Sequence, residues 1–161
     1  MEFRLAAEAD VPAITRIYNQ GIEDRIATLE TELRTEEERA QWLHSHGDRH
    51  PVFVAEEAGQ VVGWASLNVF NPRAAYRHVA DFSVYVEGGW RGRGVGGFLL
   101  SHLIEEARKI GFHKMVLSAF PFNDKGMGLY SKRGFRTVGV YKEQGQLDGR
   151  WVDTIIMEKL L

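Results

Sequence analysis

A ten-residue segment in the middle of the chain, Gly88 to Gly97, contains six of the seventeen glycines. An apolar stretch with strand alternation precedes it, and an amphipathic segment with helical spacing follows it. Glycine costs roughly 1 kcal/mol per residue inside a helix, so this density predicts a specialised turn. Amides at a helix N-terminus have no partner within the helix and attract anions. The segment therefore predicts a phosphate-binding turn, to which Arg91 and Arg93 add positive charge.

Two other kinds of phosphate-binding turn, the nucleotide P-loop and the dinucleotide-binding turn, are alternative interpretations of this segment. No Gly-Lys-Ser/Thr follows, which excludes a nucleotide P-loop. The spacing Gly92-x-Gly94-x-x-Gly97 does match the dinucleotide pattern, but residues 87–91 separate it from the strand. The acid expected ~20 residues further on is also missing, since residues 119–122 read Ala-Phe-Pro-Phe. We therefore expect a different phosphate ligand.

The remaining segments predict the order strand, two helices, three strands, helix, strand, helix and two strands. This order indicates an α/β sandwich around one mixed sheet, formed as a single domain over residues 1–161. Asp10 and Thr35 are expected to cap the first two helices. The predicted strands are 3–7, 51–56, 60–70, 76–86, 115–120, 135–141 and 151–160, and the helices begin near residues 10, 35, 94 and 123.

Composition removes several classes of protein. The 161-residue chain has no cysteine, which excludes disulfides, zinc thiolate sites and thiol nucleophiles. A net charge of −2 gives no support for binding to nucleic acid or to an anionic membrane. No apolar run approaches the roughly 20 residues that a membrane span needs, and the acidic start lacks a signal-peptide pattern. We expect a cytoplasmic protein without a metal, since the six histidines lack ligand spacing.

Arg91-x-x-Gly94-x-Gly96 after a strand resembles the pyrophosphate-binding signature of the GNAT N-acetyltransferases. Further segments across the whole chain resemble the phosphinothricin-type branch, which acetylates the α-amino group of glutamate- or methionine-like compounds. These segments are Tyr18-Asn19, Ala27 to Glu30, Ala75-Tyr76, Ser83 to Val86, Asn123, Gly134-Phe135 and Asp148 to Asp153. The run Gln144 to Trp151 is similar to the arsinothricin N-acetyltransferase members in particular.

The resemblance implies a GNAT-like fold, with a central mixed, mostly antiparallel twisted sheet flanked by about four helices. It also implies acetyl-CoA as cosubstrate, with contacts from the strand, the turn and the later helix. Backbone amides of the strand would meet the thioester carbonyl and the pantetheine, as an oxyanion-type site does. The implied cofactor-binding residues are Val84, Tyr85, Val86, Arg91, Gly92, Arg93, Gly94, Val95, Gly96 and Asn123.

Two residues are the implied catalytic groups. Asp81 stands where the phosphinothricin-type family usually has Glu, and it is expected to be the base. An ordinary Asp pKa of about 3.9 is a poor match to an amine, so burial or a relaying water is needed. Tyr130 stands where many GNAT enzymes have a tyrosine that protonates the departing thiolate. The alternatives are a solvated carboxylate for Asp81 and simple packing beside Phe135 for Tyr130.

The implied substrate residues are Arg73, Tyr76 and Glu30. An arginine pairs with a carboxylate through two parallel hydrogen bonds, which suits an amino acid substrate. The leading interpretation is an N-acetyltransferase that detoxifies a phosphinothricin-, arsinothricin- or methionine sulfoximine-type compound. Acetylation of another amine, such as a peptide N-terminus or a polyamine, and a non-catalytic CoA-binding sensor remain alternatives. The family also implies a homodimer, formed through exposed strands near the C-terminus.

Overall fold

The computed structural model describes all residues from 1 to 161. Seven strands form one sheet, whose order β1-β2-β3-β4-β5-β7-β6 is antiparallel at every neighbouring pair except β4–β5. This confirms the predicted mixed, mostly antiparallel sheet with four α-helices. The strands are β1 Glu2–Leu5, β2 Val52–Glu57, β3 Gln60–Val69, β4 Val79–Val86, β5 Lys114–Ala119, β6 Arg136–Leu147 and β7 Arg150–Leu160. The helices are α1 Val11–Asp24, α2 Glu36–Ser45, α3 Val95–Ile110 and α4 Asp124–Lys132.

The two faces of the sheet bury different cores. Alternate residues of β3 point to opposite sides, so Ala65 and Leu67 join the core under α3, whereas Trp64 joins a smaller core under α1 and α2. Helix α3 contributes a fully buried apolar stripe that includes Leu99 and Leu103. The sheet is therefore covered on both sides, and this fixes the position of its central strands.

Helix termini follow the local signals, with one correction. The Thr35 hydroxyl accepts a hydrogen bond from the amide of Glu38 at 3.1 Å, which confirms the predicted cap of α2. The Asp10 prediction is wrong, because its carboxylate makes no cap hydrogen bond to α1. It instead accepts hydrogen bonds from the Ala7 amide and from the Arg4 guanidinium, at 2.7 and 2.8 Å. Arg4, and not the first amides of α1, is therefore the partner of the Asp10 carboxylate.

Two strand boundaries differ from the prediction by more than two residues. Residues 74–76 form a 3-10 turn, so β4 begins at Val79 and Tyr76 lies outside the strand. Strand β6 continues to Leu147, beyond the predicted end at Tyr141, and pairs with β7 across an irregular register between Tyr141 and Gly145. The polar residues in this stretch hide the extension, because they show no apolar alternation.

Candidate active site

The strands β4 and β5 separate from one another near the middle of the sheet. They pair only through residues 79–81 and 114–116, while β4 continues to Val86 beside β3. The Glu87 amide donates to the Val62 carbonyl of β3 at 2.9 Å. Amide direction alternates along an antiparallel strand, so the amides of Val84 and Val86 point away from β3 and into the opening. This opening, called the β4–β5 gap below, offers unpaired amides to an extended ligand.

The glycine turn lies at the end of β4, directly before α3. Gly92 and Gly94 have φ values of 78° and 84°, in the left-handed region that favours glycine. No amide from Gly92 to Gly97 donates a backbone hydrogen bond, and the last three belong to the first turn of α3. These free donors and the positive end of the helix dipole fit a phosphate group. The predicted loop residues Arg91, Gly92, Arg93, Gly94, Val95 and Gly96 are thus contiguous with the β4–β5 gap.

Other parts of the turn already have partners. The Gly88 amide donates to the Gln20 side chain and the Gly89 amide to the Glu87 side chain, both at 2.8 Å. Arg91 forms an ion pair with Asp24 at the end of α1. The Arg93 guanidinium lies over the Trp90 ring, 4.9 Å from its centroid. Only the second half of the turn therefore has amides available to a ligand.

Asp81 lies where β4 and β5 begin to separate. Its carboxylate accepts a hydrogen bond from the Phe82 amide at 2.6 Å. Burial raises the pKa of the Asp81 carboxyl from 3.8 to about 6, and the Phe82 hydrogen bond opposes part of that rise. The group is ionised at neutral pH, and it is a stronger base than an exposed aspartate.

Tyr130, on α4, packs against the same region. Its ring meets Phe82 and Phe135 edge-on, with centroids 6.0 and 6.1 Å apart. Burial raises the pKa of the Tyr130 phenol, and the negative charge of Asp81 raises it further. The phenol is therefore protonated at neutral pH. Asp81 and Tyr130, the predicted catalytic pair, are therefore near enough for the charge of one to affect the pKa of the other. The alternative role of Tyr130, packing against Phe135, is also present.

Asn123 begins α4, and its side chain accepts a hydrogen bond from the Gly126 amide at 3.1 Å. The residue therefore has its ordinary capping role. Tyr85 differs from its two neighbours on β4, because its ring stacks on Trp64 at a centroid distance of 4.9 Å, on the α1–α2 side of the sheet. Its amide points to β3. The structure thus separates Tyr85 from the side of β4 on which Val84 and Val86 face α3.

A cavity of about 460 Å³ lies on that α1–α2 side and continues towards β4. Its lining includes Glu30 but neither Arg73 nor Tyr76, which are exposed on the 3-10 turn before β4. Asn68 lines the cavity and is the β3 partner of Asp81, so the cavity reaches the neighbourhood of the candidate base. Its lining residues are Tyr18, Thr28, Glu30, Arg34, Arg39, Trp42, Ser45, His46, Gly47, His50, Trp64, Asn68, Val69, Ser83 and Tyr85.

Several of these lining residues were missed by sequence reasoning, above all Arg39, His46 and His50. Burial lowers the pKa of both histidines, and His46 Nδ1 lies 2.6 Å from the His50 carbonyl. The spacing of His46 and His50 in the sequence does not indicate that they line a cavity. No group of three or more potential metal-ligating side chains occurs in the structure. No helix is long and apolar enough to cross a membrane.

A turn with free amides, a strand edge with free amides and an adjoining cavity together fit an extended ligand that carries a phosphate group. The acetyltransferase (GNAT) family matches residues 14–135, and the chain belongs to that family.

Three similar proteins narrow the assignment. The chain is 35% identical over 157 residues to an L-methionine sulfoximine/L-methionine sulfone acetyltransferase of Pseudomonas aeruginosa, covering 96% of this chain and 91% of the relative. A phosphinothricin acetyltransferase of Sinorhizobium meliloti, solved in complex with acetyl-CoA, is 33% identical with a TM-score of 0.94, covering 99% of this chain and 88% of that one.

The structure of a ribosomal-protein-alanine N-acetyltransferase of Brucella melitensis is 41% identical with a TM-score of 0.97, and each chain is covered completely. The protein is therefore an acetyl-CoA-dependent N-acetyltransferase of the phosphinothricin and amino acid acetyltransferase branch. The expected family, fold and cosubstrate are confirmed.

Proposed function

We propose that the protein acetylates the α-amino group of a small amino acid analogue of the phosphinothricin, arsinothricin or methionine sulfoximine type, as a detoxification reaction. The names of the Pseudomonas and Sinorhizobium relatives support this substrate class. The observation that carries the proposal is the cavity of about 460 Å³, which is sized for one small molecule and reaches the strand that bears Asp81. We further propose a cytoplasmic homodimer.

In this proposal Asp81 is the base. An amino acid ammonium must lose one proton before its nitrogen can attack the thioester carbonyl and another as the amide forms. Asp81 accepts a proton directly or through one water, and its raised pKa of about 6 narrows the mismatch with the amine. The acid that results returns its proton to solvent after each turnover.

The remaining groups act on the thioester or bind the rest of acetyl-CoA. The free amides of Val84 and Val86 stabilise the carbonyl oxygen as negative charge develops on it. Tyr130 donates a hydrogen bond to the sulfur as the carbon–sulfur bond breaks, and its proton passes to the thiolate. The second proton of the amine then restores the phenol. Free amides from Gly92 to Gly96 hold the diphosphate, next to the Arg91 and Arg93 side chains, with Asn123 beside the pantetheine arm. Glu30 is assigned to the amino acid, whose cavity the Tyr85 ring also lines, whereas Arg73 and Tyr76 do not line it.

The test is a thiol-release assay with phosphinothricin, arsinothricin, methionine sulfoximine and methionine sulfone. We expect acetyl-CoA-dependent turnover with at least one of them, at a kcat/KM of at least about 10⁴ M⁻¹s⁻¹, the lower end of common values. Turnover with none of the four amino acids would contradict the proposal. Acetyl-CoA should also raise the Tm, whereas NADH should leave it unchanged.

Acetylation of a peptide N-terminus is the second candidate, and the name of the Brucella relative favours it. The same assay separates the two, when peptides that begin with alanine are added to the panel. A peptide amine has no free carboxylate on the same α-carbon, so a site built for amino acids should discriminate strongly against it. Turnover confined to the peptides would favour this second function.

A further inference from the structure

Arg133, which follows the last residue of α4, places its guanidinium against the beginning of α3. Its Nε donates a hydrogen bond to the Ser101 hydroxyl at 3.1 Å, and its Nη1 donates to the Leu129 carbonyl at 3.2 Å. The third nitrogen, Nη2, has no hydrogen-bond partner within the protein. Two neutral acceptors therefore fix the orientation of the guanidinium and leave one of its edges free.

The free edge of this guanidinium lies directly over Gly97. A Cβ at Gly97 would be 2.1 Å from Arg133 Nη2 and 3.1 Å from its Cζ, so only glycine allows the guanidinium this position. Gly97 is buried in the first turn of α3, and its amide is the last of the free donors from Gly92 to Gly97. Arg133 therefore continues the row of free donors from the glycine turn towards α4.

No carboxylate of the chain neutralises Arg133. The ion pairs of the structure do not include it. The two acids of α3 each pair with a cation of the same helix, and the one acid of α4, Asp124, lies at the opposite end of that helix. Residues 95–110 and 124–133 together contain five Lys or Arg and three Asp or Glu. This side of the glycine turn therefore carries an excess of positive charge.

We propose that Arg133 binds the phosphate group on the ribose of acetyl-CoA. An oriented guanidinium with a free edge suits the oxygens of a phosphate, and this monoester carries more charge than either phosphate of the diphosphate. With the thioester at the β4–β5 gap and the diphosphate at the free amides, the ribose is the next part of the ligand, and Arg133 lies next to the last free amide. The inference goes beyond the proposed function, because it concerns the cosubstrate and not the amine.

The variant Arg133→Met removes the charge and keeps an unbranched side chain against α3. Calorimetry measures its Kd for acetyl-CoA and for 3′-dephospho-acetyl-CoA, which lacks only the ribose phosphate. We expect wild type to bind acetyl-CoA at least about tenfold more tightly than the dephospho compound, the contribution of one charged hydrogen bond. In Arg133→Met the two Kd values should agree within about twofold. Lys132→Met is the matched control, because it removes the same charge from the next residue, which is exposed, and it should keep the wild-type ratio.

The variant Gly97→Ala tests the position of the guanidinium rather than its presence. The new methyl group would displace Arg133 Nη2, whereas the amide of residue 97 is retained and alanine favours the helix. The variant should therefore be at least as stable as wild type in thermal denaturation and should still lose the preference for acetyl-CoA. The double variant Gly97→Ala/Arg133→Met should lose no more of that preference than either single variant, since both changes act on one contact.

These binding measurements need no amine, so they are independent of the proposed amino acid substrate. If none of the four amino acids is acetylated but the preference for acetyl-CoA depends on Arg133, the proposed function fails while the phosphate site stands. An equal preference in wild type and Arg133→Met would overturn the inference. An equal loss of affinity for both ligands in Arg133→Met would also overturn it, because Arg133 would then act on the diphosphate.

Discussion

At the scale of single residues, burial changes the acid–base properties of the candidate site. Asp81 and Tyr130 come from different elements, and both are withdrawn from water: Asp81 accepts from the Phe82 amide, and the Tyr130 ring packs on the Phe82 ring. The same burial that makes Asp81 a better base keeps Tyr130 protonated. Both effects require that this end of the β4–β5 gap exclude water.

The variant Asp81→Asn should lower kcat by about 10²- to 10⁴-fold, the usual contribution of a general base. The KM for acetyl-CoA should change little, because Asn retains an oxygen that accepts from the Phe82 amide. Steady-state kinetics between pH 6 and 9 measure both quantities. Wild-type turnover across that range would remove Asp81 from the mechanism.

The same variant should gain stability. The pKa of Asp81 is raised from 3.8 to about 6 on folding, so the unfolded chain releases this proton at lower pH than the folded one. Wild type therefore loses stability as pH rises from about 4 to about 6, by up to about 3 kcal/mol. Urea denaturation should show Asp81→Asn more stable than wild type at pH 8 and equal to it below about pH 4. A constant difference at every pH would contradict the shift.

The variant Tyr130→Phe separates chemistry from packing. It keeps the ring against Phe82 and Phe135, so the free energy of unfolding should change by less than about 1.5 kcal/mol. Loss of the acid should lower kcat by roughly 10²-fold or more. Kinetics equal to wild type would leave Tyr130 with the packing role alone.

Asp81 could be selected as a candidate site residue from the sequence, whereas Arg39 could not be recognised as a residue that lines the cavity. The physical reason is that one position depends on a local pattern and the other on tertiary packing. Strand alternation places Asp81 on a known face of β4, so its neighbourhood follows from a local pattern. Helix α2 has no apolar stripe of its own, and Arg39 is buried by Tyr18 of α1 as well as by its own neighbour Trp42. That kind of burial depends on the tertiary packing of two helices.

At the scale of elements, the glycine turn was the most predictable part of the site. Its glycines, its place after a strand and the start of α3 near Gly94 are all local features. The start of β4 was less predictable, because the 3-10 turn at residues 74–76 and the strand after it share the same kind of residues. Where β4 separates from β5 could not be predicted, since it depends on pairing between distant segments.

The variant Gly94→Ala should weaken acetyl-CoA binding. Gly94 has a φ of 84°, and alanine is strained there whatever the available space. Relaxing that strain should displace the free amides, so we expect the Kd for acetyl-CoA in calorimetry to rise by about tenfold. Gly59→Ala is the matched control, with a φ of 79° in the β2–β3 turn away from the site. Equal effects of the two variants on the Kd would contradict a specific role for Gly94.

Helix α4 contains two glycines with opposite expectations. An alanine Cβ at Gly128 meets nothing within 4 Å, so Gly128→Ala should stabilise the protein by about 0.5–1 kcal/mol. At Gly126 the Cβ would lie 2.6 Å from Asn123 Nδ2 and disturb the helix cap. Gly126→Ala should therefore give no such gain in thermal denaturation. Equal stabilisation by both would show that the Asn123 cap is unimportant.

At the scale of the whole molecule, the sheet has two unlike edges. The edge strand β1 is only four residues long, whereas the edge strand β6 has twelve residues and exposes Val138, Val140 and Tyr141. Long apolar edges invite pairing with another chain. The predicted homodimer contact is therefore β6.

Light scattering after gel filtration tests this prediction. Wild type should have about twice the 18.3 kDa mass of the chain, and Val140→Lys should shift it towards the monomer. Leu5→Lys is the control, because Leu5 is 61% exposed on the opposite edge. A monomeric wild type at micromolar concentration would contradict the prediction.

The β4–β5 gap also has a consequence for the integrity of the folded state. Beyond residues 81 and 116, β4 and β5 do not pair with each other. An extended molecule with amide groups of its own would complete the sheet at this position. In the proposed function, acetyl-CoA would occupy this place and act as a temporary eighth strand. Its binding would then add backbone-like hydrogen bonds to β4, and its release would remove them.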